Sequence, residues 1–318
     1  VPEPSLTEPP RVESPPPTKA EPWSRGFLLT AAALILAFGL PWYHLVQLSL
    51  NDSLYSHLPL IPFVSVYLVW MRRETLPPVS LPNRTLAAGL LIAGIAVLAS
   101  YFAVTRSGTA LALEDSLAWT TYAFLLLFAS VCAWFLGRDL LKAVCFPLGF
   151  LIFMAPFPTA VHQAMEAFLQ HWSADVSYLM ISGAGTPILR EGLIFHIPGI
   201  ILEVAPQCSG IRSTVALFIT SVVAGYFFLH SPWKRLVLTF AVIPLAILRN
   251  GLRIFTIAQL CVYISPDMVN SFIHHRGGPI FFALSLIPFL GLLYFLYRSE
   301  RGRRKPAPHP SADLPSTQ

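Results

Sequence analysis

Apolar runs long enough to cross a bilayer recur along almost the whole chain, at roughly 27–45, 56–71, 85–104, 117–136, 140–157, 211–229, 236–260 and 279–297. About 20 such residues in a helix match the ~30 Å hydrocarbon core, and the second and fifth runs are short for that purpose. The chain has 318 residues, 55% of them hydrophobic and 12% charged, which is more apolar surface than a soluble core can hide. Lipid must cover the remainder. The expected fold is an all-α polytopic membrane protein with about eight transmembrane helices.

The formal net charge is +5, but the basic residues cluster at span ends, where membrane topology explains them, and no nucleic-acid motif accompanies them. Placing the N-terminus inside leaves Arg106, Arg190, Arg212, Arg249, Arg253 and Arg276 at or near the outer face and puts the other basic residues inside. That bias predicts a multi-pass protein with both termini in the cytoplasm. Residues 1–25, rich in Pro, Glu, Ser and Thr, read as a disordered cytoplasmic tail without a cleavable signal pattern. Residues 26–299 read as the transmembrane domain, and 300–318 as a basic disordered cytoplasmic tail.

One large segment, 158–210, falls to the outer face. Its first half, Ala160 to Met180, mixes Gln163, Glu166, Gln170 and His171 with apolar neighbours, as an amphipathic helix lying along the interface or dipping in partway would. Its second half carries turn signals at Arg190-Glu191-Gly192 and Pro198-Gly199 between short alternating runs, which predicts a small hairpin leading to Cys208.

On this topology Cys208 sits at the outer mouth of the sixth span, Arg253 and Arg249 lie one turn apart towards the outer end of the seventh, and His274 and His275 precede the eighth. Three separated segments bring thiol, guanidinium and imidazole to one membrane face. A thiolate is a nucleophile, histidine can take its proton and return one to a leaving amine, and arginine can stabilise an oxyanion. Each residue also has an ordinary structural role open to it: a Cys beside Gly packs, an Arg near a span end snorkels, an interfacial His is solvated. His44, His57, His162, His171, His196 and His230 are assigned to that ordinary role. Glu203 and Asn250 are either supporting partners of the site or plain helix-end polar residues. Cys132, Cys145 and Cys261 lie in apolar runs as packing residues, with neither disulfide nor zinc spacing, and no metal or cofactor site is read.

EVAPQCSGIRS, PLAILRNGLR and the His-x3-Gly-x3-Phe pattern of His274, Gly278 and Phe282 together resemble the exosortase/archaeosortase family of membrane cysteine transpeptidases. SHLPLIPFVSVYLVWMRR and FPLGFLIFMAPFP are similar too, so the resemblance covers roughly residues 50–297. It implies Cys208 as nucleophile, Arg253 as the catalytic arginine of the motif begun by Asn250, and His274 as the histidine. Arg249 and His275 depart from the pattern and offer a second guanidinium and a second imidazole for those roles. The implied substrates are exported proteins with a C-terminal sorting signal: a short Pro-Glu-Pro-like motif, a transmembrane helix and a basic cluster. The implied reaction is cleavage at the outer face of the cell (inner) membrane, an acyl-thioester on Cys208, and transfer to a surface glycan or lipid acceptor. Val-Pro-Glu-Pro at residues 1–4 looks like such a motif but is read as coincidence in a Pro-rich tail. Two other readings stand beside this one: a transporter or glycan-assembly permease binding an anion at Arg249 and Arg253, and a noncatalytic partner that recognises sorting signals.

Overall fold

The computed structural model describes residues 24–206, 209–270 and 277–301. They are mostly helical and divide into two compact units, Val1–Pro156 and Phe157–Gln318.

The first unit begins with α1 (Arg25–Ala37) and α2 (Gly39–Asn51), which meet at 63°. Pro41 lies in the first turn of α2; it has no N–H for the Ala37 carbonyl and its ring would clash there, so the run 27–45 breaks instead of continuing straight. A turn follows in which the Leu54 N–H donates to Asp52 Oδ1 at 2.8 Å, burying Tyr55 and Leu58. It leaves only 12 residues for α3 (Leu60–Met71). Next come α4 (Arg84–Arg106) and α5 (Leu113–Phe135), packed along each other and pinned by Ser130 Oγ donating to the Ala87 carbonyl at 2.7 Å. Asn83 caps α4 by accepting from Leu86 N–H, while Glu114 and Asp115 in the first turn of α5 complement its dipole. The run 140–157 is divided among α6 (Gly137–Ala143), α7 (Cys145–Phe150) and a 3-10 turn, Leu151–Met154.

The second unit opens with α8 (Thr159–Gly183) and a three-stranded antiparallel meander, β1 (Leu189–Glu191), β2 (Ile194–Ile197) and β3 (Ile200–Glu203). It continues with α9 (Ile211–Phe228), α10 (Pro232–Phe240), α11 (Val242–Tyr263), a 3-10 turn at Pro266–Asn270, and α12 (Gly278–Arg301). The chain turns at both dipeptides where turns were expected, but Glu191 pairs with Ile194 and Ile197 with Ile200, giving three strands and not a single hairpin. Alternation along β2 turns Phe195 and Ile197 onto Ile181 of α8 and Ile254 and Ala258 of α11, forming one buried cluster. A second cluster joins Leu217, Leu238, Val242 and Phe289 across α9 to α12. Glu300 closes the corner between α9 and α10, its carboxylate accepting the His230 and Ser231 N–H groups at 2.9 Å each, just ahead of Pro232 at the first position of α10.

Among the described residues, five helices are long and apolar enough to cross a membrane: α4, α5, α9, the continuous α10–α11 segment and α12. The count reaches seven if each of two bent pairs is one span. It falls short of the expected eight because the run 56–71 supplies only the short α3. In α4 only 11% of the most apolar window is buried by protein, so lipid is its solvent, and the chain is a multi-pass membrane protein.

α8 is packed into the second unit: Ser173, Ala174 and Ser177 are fully buried, and the helix packs along α11. Gly251 of α11 makes that approach feasible, since a Cβ there would stand 2.7 Å from Val176 Cγ1. Gly251→Ala should therefore destabilise the protein by about 1–3 kcal/mol. Adding Val176→Ala should recover most of the loss. Thermal unfolding in detergent measures both, and a single variant as stable as wild type would refute the close contact.

Candidate active site

The expected site residues fall into two groups. Cys208, His274 and His275 lie outside the described residues. Arg249, Asn250 and Arg253 occupy consecutive turns of α11, with the arginines four residues apart and hence on one face about 6 Å apart in rise. Arg249 and Asn250 are buried, at 6% and 3% exposure, and Arg253 is half-buried. Glu203 stands exposed on β3 with no side-chain partner among the described residues.

What Arg249 meets is the start of α9. Its Nη2 donates to the Gly210 carbonyl at 3.1 Å and approaches Thr214 Oγ1 at 3.4 Å. The same carbonyl accepts from Ser213 Oγ at 3.0 Å, Thr214 Oγ1 at 2.9 Å and Thr214 N–H at 3.1 Å. Gly210 is the N-cap of α9 and sits at φ +72°, a left-handed conformation that turns the entering chain onto α11. A Cβ there would lie 3.0 Å from Arg249 Nη2 and 3.2 Å from Asn250 Oδ1. One residue earlier, Ser209 is buried and its N–H donates to the Pro206 carbonyl at 2.9 Å.

The approach from the meander is anchored as well. Gln170 of α8 is buried and its Nε2 donates to the Val204 carbonyl, while the Val204 N–H donates to the Leu193 carbonyl at 2.9 Å. Thr186 Oγ1 donates to Gln259 Oε1 of α11 at 3.1 Å, and Arg190 of β1 pairs with Asp175 of α8 at 2.6 Å. The chain is thus fixed at Val204 before position 208 and at Gly210 after it. Sequence reasoning missed these supports. Gln170 looked like an interfacial polar residue, and only its position on the small-residue face of α8 could have marked it as buried.

The electrostatics at this point are strongly positive. The Nη1 of Arg249 is buried and has no hydrogen-bond partner among the described residues. An unpartnered guanidinium N–H in a water-poor setting favours an approaching negative oxygen. Among the described residues no group of three or more His, Cys, Asp or Glu side chains could hold a metal ion.

Gly210→Ala should place a side chain in left-handed backbone and against Arg249, costing about 1–2 kcal/mol from the backbone alone. A fall in melting temperature in detergent is the expected result; an unchanged one would show that the Arg249 contact needs no glycine.

A family model described as Transmembrane exosortase (Exosortase_EpsH) matches residues 42–291. Searches for similarity among curated proteins and among solved structures return no match.

Proposed function

The chain belongs to the transmembrane exosortase family, and from that premise we propose that it is a membrane cysteine transpeptidase acting on the C-terminal sorting signals of exported proteins. Cys208 is the nucleophile, Arg253 the oxyanion-stabilising cation and His274 the general acid–base. The observation that carries this reading is buried Arg249 on α11 donating to the Gly210 carbonyl two residues after Cys208, with buried Asn250 beside it and Arg253 one turn on.

In the proposed reaction His274 takes the Cys208 proton, and the thiolate attacks the scissile carbonyl to form a C–S bond as the carbonyl π electrons move to oxygen. Arg253 stabilises that oxyanion. Collapse breaks the C–N bond while His274 returns the proton to the leaving amine. A hydroxyl or amine of the acceptor, deprotonated by His274, then attacks the thioester and releases the Cys208 thiolate. Arg249 holds the turn after the nucleophile and, as a second cation, favours the thiolate.

The substrate carries a short Pro-Glu-Pro-like motif, a transmembrane helix and a basic cluster, and the acceptor is a surface glycan or lipid component. With the basic cluster held at the cytoplasmic face, the motif emerges at the outer face of the cell (inner) membrane, where Cys208 sits in this reading. Both chain termini lie in the cytoplasm.

Cys208→Ala should reduce processing of a co-expressed sorting-signal substrate by at least about 10³-fold while the protein still inserts and accumulates. Processing that survives this change refutes the transpeptidase reading. A permease using Arg249 and Arg253 would instead lose function on changing the arginines and keep it without Cys208. His274→Ala should abolish processing and His275→Ala should spare it; the reverse result transfers the acid–base role to His275.

A further inference from the structure

The first unit contains a cavity of about 690 Å³, within the ~300–1,000 Å³ range of small-molecule sites. Its walls are α1 and α3, and its back is formed by α5, α7 and the 3-10 turn that follows. α1 packs on α5 and α3 packs on α7. Ile35 of α1 and Val66 and Trp70 of α3 line the cavity and are exposed, so it opens beside them.

Almost everything lining the space is aliphatic or aromatic. Ser65 lines it too, but its hydroxyl already donates to the Pro147 carbonyl at 2.6 Å. Two polar groups remain. Trp42 Nε1 is buried and has no hydrogen-bond partner among the described residues. Arg73 lies just past the end of α3, its guanidinium 4.4 Å above the Trp70 ring. Its one acidic partner among the described residues, Glu74, is 3.9 Å away, with both side chains more than half exposed, so that pair holds Arg73 only weakly.

The dimensions select an occupant. Pro62 and Trp70 of α3 both line the cavity and are eight residues apart, about 12 Å of helical rise, with Arg73 in the turn just beyond extending that reach. That is about half of the ~30 Å hydrocarbon core, one leaflet deep. Water has too few polar partners in such a space to fill it. Left empty, it would forfeit dispersion contacts over its whole lining. An acyl chain supplies those contacts, and a guanidinium at the mouth is the bidentate partner of a phosphate.

We propose that this cavity is a binding site for one anionic glycerophospholipid, its acyl chain lying between α1 and α3 against α5 and its headgroup phosphate on Arg73. The site depends on the membrane-spanning fold and not on the catalytic reading of the second unit.

The test uses the full chain in nanodiscs of phosphatidylcholine with one-tenth phosphatidylglycerol, released into mild detergent and weighed by native mass spectrometry. Wild type should retain one phosphatidylglycerol per chain. Arg73→Glu, a surface change, should lower that retention about tenfold, the equivalent of ~1.4 kcal/mol. Ala31→Trp, which fills the space beside α5, should abolish retention of either lipid, with its melting curve confirming that the variant is folded. Wild type that retains no phospholipid, or variants that retain as much as wild type, would reduce the lipid to a loose annulus and overturn the site. Equal retention of phosphatidylcholine would overturn the headgroup assignment. Increased retention after removal of residues 1–23 would make that segment the natural occupant, which also overturns the proposal.

Discussion

A guanidinium taken out of water costs several kcal/mol unless its donors are used, and a membrane-embedded helix offers few acceptors. Arg249 meets part of this constraint, through Nη2 and with no carboxylate partner among the described residues. It turns to a backbone carbonyl, that of Gly210, which a left-handed glycine presents at the mouth of α9. The arrangement fixes two helices at once, since α11 can lie against the start of α9 only in the register that brings Nη2 to that oxygen. α8 then closes on the other side of α11, where Gly251 admits Val176, and the meander is held between α8 and α11 by Gln170, Asp175 and Gln259. The hydrophobic cluster around Phe195 fills what those polar contacts enclose.

Much of this was legible in the sequence, for reasons that differ by element. The long spans declared themselves because lipid solvation requires an unbroken apolar surface, and α4 and α12 follow their runs closely. Hydropathy does not register proline geometry, so the break at Pro41 in the first run was not legible, whereas 56–71, already short for a span, yields only the 12-residue α3. The turns of the meander were marked by glycine and proline, but the number of strands depends on pairing register, which composition does not encode. The packing of α8 on α11 was not legible because its buried face is rich in Ser and Ala, whose small size serves close packing and not hydrophobicity.

For the site, helical periodicity was enough to put Arg249 and Arg253 on one face, and the family match over residues 42–291 agrees with the resemblance drawn from the motifs around Cys208, Arg253 and His274. What could not be foreseen is the division of labour between the two arginines. Spacing treats them as equivalents, whereas burial and the Gly210 contact give Arg249 a structural task. Glu203 is exposed on β3, an orientation that its place near Cys208 in the sequence does not specify.

The Glu300 latch has a bearing on how the second unit is assembled in time. The amide groups it receives belong to residues 69 and 70 positions earlier. At about 5–20 residues per second, translation reaches Glu300 roughly 4–14 s after it has made them. Until then the corner between α9 and α10 has to rely on water or lipid headgroups for those two bonds. The two bonds that tie this corner to the last helix can therefore form only once that helix has been made.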